Sequence, residues 1–315
     1  MEIVYNGQKD PRNFKDVIGA TMGQLLKEDP DVAWLDADLM SCSSTNKLPT
    51  EDGRVINCGI AEANMAGIAA GMSAAGMKPY IHSFGPFASR RCYDQVFLSA
   101  GYANNPITVI GTDPGITAAF NGGTHMPFED VALYRALPNA TIVDITDVPM
   151  LVDVLKQAKD LPGVKYIRVP RKESYPVYAE GTHFTVGKAN VVREGKDAVI
   201  IACGIMVHEA LQAAELLEKQ GISAAVIDVF TIKPLDVELV RAYAEKTGVV
   251  VTAENHNKIG GLTSAVQDAV CGMALKFGYV AVEDEFGEVG PQDYLRKRFD
   301  LTSDHIARKV QELLK

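Results

Sequence analysis

The sequence predicts an α/β protein of two doubly wound domains, each a mainly parallel sheet covered by helices on both faces. Short β-branched runs alternate with amphipathic segments almost from end to end, the pattern of βαβ units. At 315 residues the chain is long enough for two hydrophobic cores. The alternation breaks once, between Pro170 and Gly187, where Pro170, Pro176 and Gly181 stand among charged and aromatic residues. That composition marks an interdomain linker. The domains therefore run over residues 1–180, with the linker starting near 170, and over residues 188–315.

In the first domain the expected strands are Val32–Asp36, Arg54–Cys58, Pro79–Phe84, Ile107–Thr112, Thr141–Asp144 and Lys165–Val169, short apolar runs bounded by turn residues. Between them Phe14–Lys27, Arg91–Ala103 and Val148–Lys159 carry helical periodicity. Residues 62–75 form a further helix with a buried stripe of Met65, Ile68, Ala69 and Met72. Its second stripe, Ala63, Gly67, Gly71 and Ala75, is entirely small. Glycine weakens a helix interior, so another backbone packs closely here, in the same domain or in another chain. The second domain repeats the alternation, with strands at Ala198–Ala202, Ser223–Asp228, Val249–Thr252 and Tyr279–Val282 and helices at Val207–Lys219, Val237–Lys246, Gly261–Leu275 and Thr302–Leu314.

Composition narrows the function. The formal charge of −9, with no basic run or aromatic–basic stripe, speaks against a nucleic-acid or anionic-membrane partner. Five scattered cysteines, none at zinc-ligand spacing, fit a reduced cytoplasmic compartment. The first residues lack the pattern of a signal peptide, and the small apolar run Ala66–Met77 is too short to span a bilayer.

The most informative stretch is Asn57-Cys58-Gly59-Ile60-Ala61-Glu62-Ala63-Asn64-Met65-Ala66-Gly67. It sets one carboxylate, Glu62, among small and apolar residues where a strand hands over to a helix. Burying a lone acid is costly unless something binds its proton or charge. Glu62 is thus either a proton-handling group in a dry site or a helix-start acid favoured by the macrodipole.

Four segments resemble the C-terminal half of the transketolase family: Gly59-Ile60-Ala61-Glu62; Ser83-Phe84-Gly85-Pro86-Phe87 with Tyr93-Asp94-Gln95; Asn121-Gly122-Gly123-Thr124-His125-Met126-Pro127 with Glu129-Asp130; and Leu137-Pro138-Asn139. Their order resembles the family's thiamine-diphosphate-binding pyrimidine domain, and Glu254-Asn255-His256 with Gly260-Gly261 resembles its C-terminal domain. The Gly-Asp-Gly motif, through which such enzymes hold a metal and the cofactor's diphosphate, is absent. The resemblance therefore implies a split enzyme. This chain would carry the pyrimidine half of the site and no metal ligand, and a complementary subunit would supply the diphosphate-binding half with Mg2+ or another divalent ion.

By the same resemblance, Glu62 would hydrogen-bond the aminopyrimidine ring nitrogen. It would favour the imino tautomer, whose exocyclic nitrogen takes the proton from the thiazolium carbon. Phe84 and Phe87 would wall that ring, Phe87 as the stacking partner; on spacing alone, both read equally as core residues after a strand. Arg91 and Asp94 read as a structural ion pair or as contacts to cofactor or partner. His125 matches a histidine lining the substrate channel, able to stabilise oxygen charge or move a proton. The family commonly has an acid where Asn121 stands and a histidine where Asp113 stands, so both departures bear on sugar specificity. Arg171 matches an arginine gripping a terminal phosphate, a contact suited to a guanidinium; without the resemblance it is one charge of a solvated linker cluster. His256 reads as a domain-closing residue.

The expected function is transfer of a two-carbon ketol unit from a ketose phosphate to an aldose, in the pentose phosphate pathway or in breakdown of unusual sugars. The beta subunit of a 2-oxoacid dehydrogenase is the alternative, and a silent scaffold a third reading. The resemblance also implies a homodimeric core within a heterotetramer.

Overall fold

The computed structural model describes residues 1–315. Its first sheet contains β1 (Val32–Asp36), β2 (Val55–Asn57), β3 (Lys78–Phe84), β4 (Ile107–Thr112), β5 (Ala140–Asp144) and β6 (Val164–Val169), all mutually parallel. The second contains β7 (Asn190–Arg193), β8 (Ala198–Ala202), β9 (Ala224–Asp228), and, after the short β10 (Thr231–Lys233), β11 (Val249–Asn257) and β12 (Lys276–Val282). Strand orders are β10-β5-β6-β4-β3-β1-β2 and β12-β11-β8-β9-β7. Both are doubly wound α/β sheets, as the alternation predicts.

Strand order in the first sheet reverses beside β1, with β2 on one side and β3 on the other. Parallel sheets bind ligands at such a reversal, in the crevice beyond the carboxyl ends of the strands. Helix α1 (Phe14–Glu28) packs Phe14, Ile18, Met22 and Leu25 into the core, and its start is capped by Asn13, whose side chain accepts from the Asp16 amide. Helix α2 (Glu62–Ala74) follows β2 and delivers its first residue to the crevice.

Three of the expected elements need correction. The helix expected over 91–103 is a 3₁₀ turn (Arg90–Cys92), one α turn (Tyr93–Gln95) and a π segment (Val96–Tyr102). It departs from α geometry where Leu137 crowds Gly101, leaving a Cβ at that position only 2.7 Å from a leucine methyl. The helix expected over 261–275 ends at Val270, because Gly272 takes φ +82°. The strand expected to end at Thr252 runs on to Asn257 and carries Glu254, Asn255 and His256 inward.

β10 escapes sequence reading altogether. It leaves the second sheet's connectivity and pairs antiparallel with β5, Thr231 opposite Val143, so residues from beyond the linker complete the first sheet. The linker is itself fixed in place. Asp147 accepts from the amides of Val177 and Tyr178, both at 2.9 Å. A buried ion triad joins the two units: Arg168 on β6 donates to Asp130 (2.8 Å), Asp144 (2.6 Å) and the Asn255 carbonyl (3.0 Å). Breaking a satisfied buried cluster of this kind costs several kcal/mol.

The small stripe of α2 is uncovered within the chain. A Cβ built on Gly67 or Gly71 meets nothing within 4 Å. Ile68, expected in the helix's buried stripe, is instead exposed, because no element of the chain covers its side of α2, and Ile60, Leu98 and Tyr102 stand exposed around the small stripe. No helix is long and apolar enough to cross a membrane.

Candidate active site

The turn from β2 into α2, with Gly59 at φ +69°, places Glu62 at the first position of the helix. Its side chain is 1% exposed. Ser83, on the neighbouring β3, donates to Oε1 at 3.1 Å. The Arg91 Nη1 donates to both carboxylate oxygens at 2.9 Å. Glu62 is therefore a sequestered acid whose charge is matched from the crevice side. Arg91 pairs with Glu62 and not with Asp94.

Phe84 ends β3 and caps the short helix α3 (Gly85–Ser89), which has Pro86 in its first turn and carries Phe87. The ring centroids of Phe84 and Phe87 lie 6.4 Å apart. The His125 imidazole meets both rings edge-on, at 5.7 and 5.1 Å. The Arg91 guanidinium covers the Phe87 ring at 4.0 Å, and that of Arg171 lies 5.4 Å from the Phe84 ring. Arg91, Phe87, His125, Phe84 and Arg171 thus form one continuous wall. Burial, then the charge of Arg91, lowers the His125 pKa from its ordinary value, so its ring is neutral at physiological pH and can both accept and donate. Thr124 Oγ1 lies 2.9 Å from its Nδ1.

Asp113 follows β4 at φ +57°, a conformation aspartate tolerates better than most residues. It is 1% exposed and sits behind Arg171, with Oδ1 3.2 Å from Nε. Burial raises its carboxyl pKa to about 6, against the lowering effect of Arg171. Arg171 Nη1 donates to the Cys42 sulfur at 3.3 Å. Asn121 is exposed at the end of the 3₁₀ segment Gly115–Asn121, whose Ala119 has φ +48°. The second unit braces this loop. Asn255 accepts from the Ile116 amide (3.0 Å) and donates to the Pro114 carbonyl (2.9 Å). A Cβ on Gly123 would stand 2.1 Å from the Gly287 oxygen. His256 is fully buried, 3.8 Å from both Asp130 and Glu254, away from the wall.

Sequence reasoning missed three features. Arg91 lies four residues after Phe87, the spacing at which helical side chains meet, and that was the available signal. The buried pair His82–Asp36, at 2.7 Å, lies behind Asp113, with Thr112 on the other ring nitrogen at 3.2 Å. Cys42 reaches Arg171 from the β1–β2 loop, across 129 residues of sequence, and nothing local announces it.

Residues 10–176 match the family profile described as transketolase, pyrimidine binding domain, and residues 187–306 match that described as transketolase, C-terminal domain. The chain belongs to the transketolase family. It is 47% identical over 294 residues to a 6-deoxy-6-sulfo-D-fructose transketolase subunit of Clostridium sp. (strain MSTE9), covering 92% of this chain and 91% of that protein. It is 30% identical to an apulose-4-phosphate transketolase subunit of Phocaeicola vulgatus, covering 94% and 95%. Among solved structures it resembles a split-gene transketolase described as an inactive beta4 tetramer, with TM-score 0.87, 34% identity and coverage of 96% and 98%. The transketolase of Pichia stipitis shares the fold at 21% identity and TM-score 0.82, this chain spanning 47% of it.

Members of this family depend on thiamine diphosphate, and the wall fits the cofactor's ring. A planar cation, the Arg91 guanidinium, already lies on Phe87 while hydrogen-bonding Glu62. An aminopyrimidine needs those same two contacts, a face for stacking and an acid for its nitrogens. No cluster of three or more His, Cys, Asp or Glu side chains is placed to hold a metal ion.

Proposed function

We propose that this chain is the pyrimidine-side subunit of a split, thiamine-diphosphate-dependent transketolase. It takes part in moving a two-carbon ketol unit from a ketose with an anionic terminal group to an aldose. The observation that carries this is the continuous wall, with an acid at one end (Glu62) and a guanidinium open to the crevice at the other (Arg171). One end suits the cofactor ring and the other a sugar's terminal oxyanion, with His125 between.

Bound thiamine diphosphate supplies the carbon nucleophile and the electron sink for cleaving the ketose. The protein residues orient and move protons. Glu62 holds the ring nitrogen and sets its protonation, with Ser83 fixing one carboxylate oxygen. Phe87 supplies the stacking face. His125, kept neutral, receives or returns a proton at the sugar oxygens. Asn121, on the braced loop, faces a sugar hydroxyl, and Arg171 takes the terminal group in a charge-assisted contact.

The complementary subunit contributes the diphosphate site and Mg2+. The uncovered glycine stripe of α2 serves self-association, giving a homodimeric core within a heterotetramer. Five unpaired cysteines suit the cytoplasm. The Clostridium and Phocaeicola relatives act, by their names, on a sulfonated and a phosphorylated sugar outside the common pentoses. An unusual anionic ketose is accordingly the donor proposed here. These relatives also favour ketol transfer over oxoacid decarboxylation.

The test mixes this chain with its complementary subunit, thiamine diphosphate and Mg2+ and measures ketol transfer. Glu62→Ala abolishes transfer. Full activity in that variant would refute the assigned role, and carbon dioxide release from an oxoacid without ketose turnover would refute the reaction class.

A further inference from the structure

Asp113 is an unusual residue to keep at the terminal-group end of the wall. Both of its carboxylate oxygens are buried without a hydrogen-bond partner, so it caps no helix and orders no loop through its side chain. Its one ionic contact is Arg171, 3.2 Å away. A buried carboxylate is costly unless its charge is used. Here its effect falls on the arginine that faces the crevice.

That guanidinium is held from behind on two sides. Nε lies against Asp113 and Nη1 donates to Cys42. Nη2 makes no hydrogen bond within the chain, and the side chain stays 17% exposed. Arg171 can therefore still donate to a ligand, while its unit charge is already cancelled by Asp113. The other charges nearby do not restore it. His82 is held by Asp36 at 2.7 Å, Glu173 is paired with Lys9 at 2.7 Å, and Lys172 is exposed to solvent, where its field is screened.

We propose that Asp113 is a charge-selecting residue: by neutralising Arg171 it builds a terminal-group site that hydrogen-bonds a tetrahedral oxyanion but gains nothing from a second negative charge. The site then favours a monoanionic terminus of the sulfonate class over a phosphate dianion. A phosphate monoester loses its second proton near pH 6 and carries close to two charges above pH 7. A sulfonate carries one charge throughout. This inference rests on the transketolase reading and adds to it the residue that sets the donor's terminal chemistry.

The test uses the assembled two-subunit enzyme with thiamine diphosphate and Mg2+. It compares kcat/KM for two donors differing only at the terminus, a ketohexose 6-phosphate and the 6-deoxy-6-sulfonate, at pH 8. The wild type uses the sulfonate at least as well as the phosphate. Asp113→Asn and Asp113→His each shift the sulfonate-to-phosphate ratio toward phosphate by about ten- to a hundredfold, the order expected for removing one charge about 6–12 Å from the ligand's second charge in an effective dielectric near 20. A shift below about twofold in both active variants overturns the inference, as does a strong wild-type preference for phosphate at pH 8. A complex that turns over ketoses with unchanged selectivity defeats this inference only. One that turns over no ketose, charged or neutral, defeats the transketolase reading and this inference with it.

Discussion

Arg91 reaches both oxygens of Glu62 at 2.9 Å while its guanidinium lies 4.0 Å over the ring of Phe87. One side chain thus makes the two contacts proposed for the cofactor ring, and on that reading it competes for them in the isolated chain. Arg91 is 43% exposed, so the pair holds it only loosely, and it can swing outward at modest cost. Arg91→Ala tightens thiamine diphosphate binding by the assembled complex by about two- to fivefold, the size of a weak ion pair lost from the competing state. Titration of activity against cofactor concentration reads this directly. Unchanged or weaker binding would show that Arg91 is no competitor.

His125 has no carboxylate partner. Its environment is two phenyl edges and the Thr124 hydroxyl, and its lowered pKa keeps it neutral. His125→Ala lowers kcat/KM for the ketose by roughly a hundredfold, the typical effect of losing a positioned proton carrier, whereas His125→Gln keeps one donor and retains more. Steady-state rates against pH check the assignment, with any loss of wild-type activity from a protonating imidazole at this position falling below the ordinary histidine pKa of about 6.5.

Much of the fold could be read from sequence because the central strands are short, β-branched and buried on both faces. β1, β4 and β8 carry five, six and five buried residues in succession. β10 could not be read, since Thr231-Ile232-Lys233 has no pattern of its own and exists only by pairing with β5, about ninety residues away. The candidate site divides in the same way. Glu62, Phe87, His125 and Arg171 could be picked out only through motif resemblance, because an acid at a helix start or a histidine in a loop has no unique local signature. Two facts depend on tertiary packing and left no mark in the chain: Asp113 lies buried behind Arg171, and Arg91 is turned toward Glu62.

Gly67 and Gly123 give opposite expectations. Nothing lies within 4 Å of a Cβ at Gly67, so Gly67→Leu adds helix propensity of order 0.5–1 kcal/mol to the isolated chain while blocking close approach of another backbone. Its melting temperature holds or rises, and self-association measured by sedimentation weakens at least tenfold. At Gly123, a Cβ would meet the Gly287 oxygen at 2.1 Å. Gly123→Ala therefore displaces the loop carrying His125, raising KM and lowering kcat together. Wild-type kinetics in that variant would mean the brace between the two units does not position the loop.

Stability should fall above neutral pH, and one buried carboxyl dominates the effect. Burial raises the Asp228 pKa to about 8, partly offset by hydrogen bonds from Tyr178 (2.7 Å) and Thr146 (2.8 Å). Burial likewise raises Glu254 to about 7, and Asp113 and Asp147 to about 6. Each of these groups holds a proton in the folded chain that the unfolded chain releases near pH 4, so each makes stability decline with rising pH up to its folded pKa. His208 and His256, both lowered to about 4 by burial, act in the opposite sense. The unfolded chain binds their protons between about pH 4 and 6.5, so over that window they make stability increase with pH. The two sets oppose each other below about pH 6.5. Above it only the carboxyls remain, and the melting temperature drops between pH 6.5 and 8. Asp228→Asn preserves an acceptor for Tyr178 and Thr146 but cannot ionise, so it flattens that decline. Parallel thermal melts of the wild type and this variant test the assignment, and identical slopes would place the titrating group elsewhere.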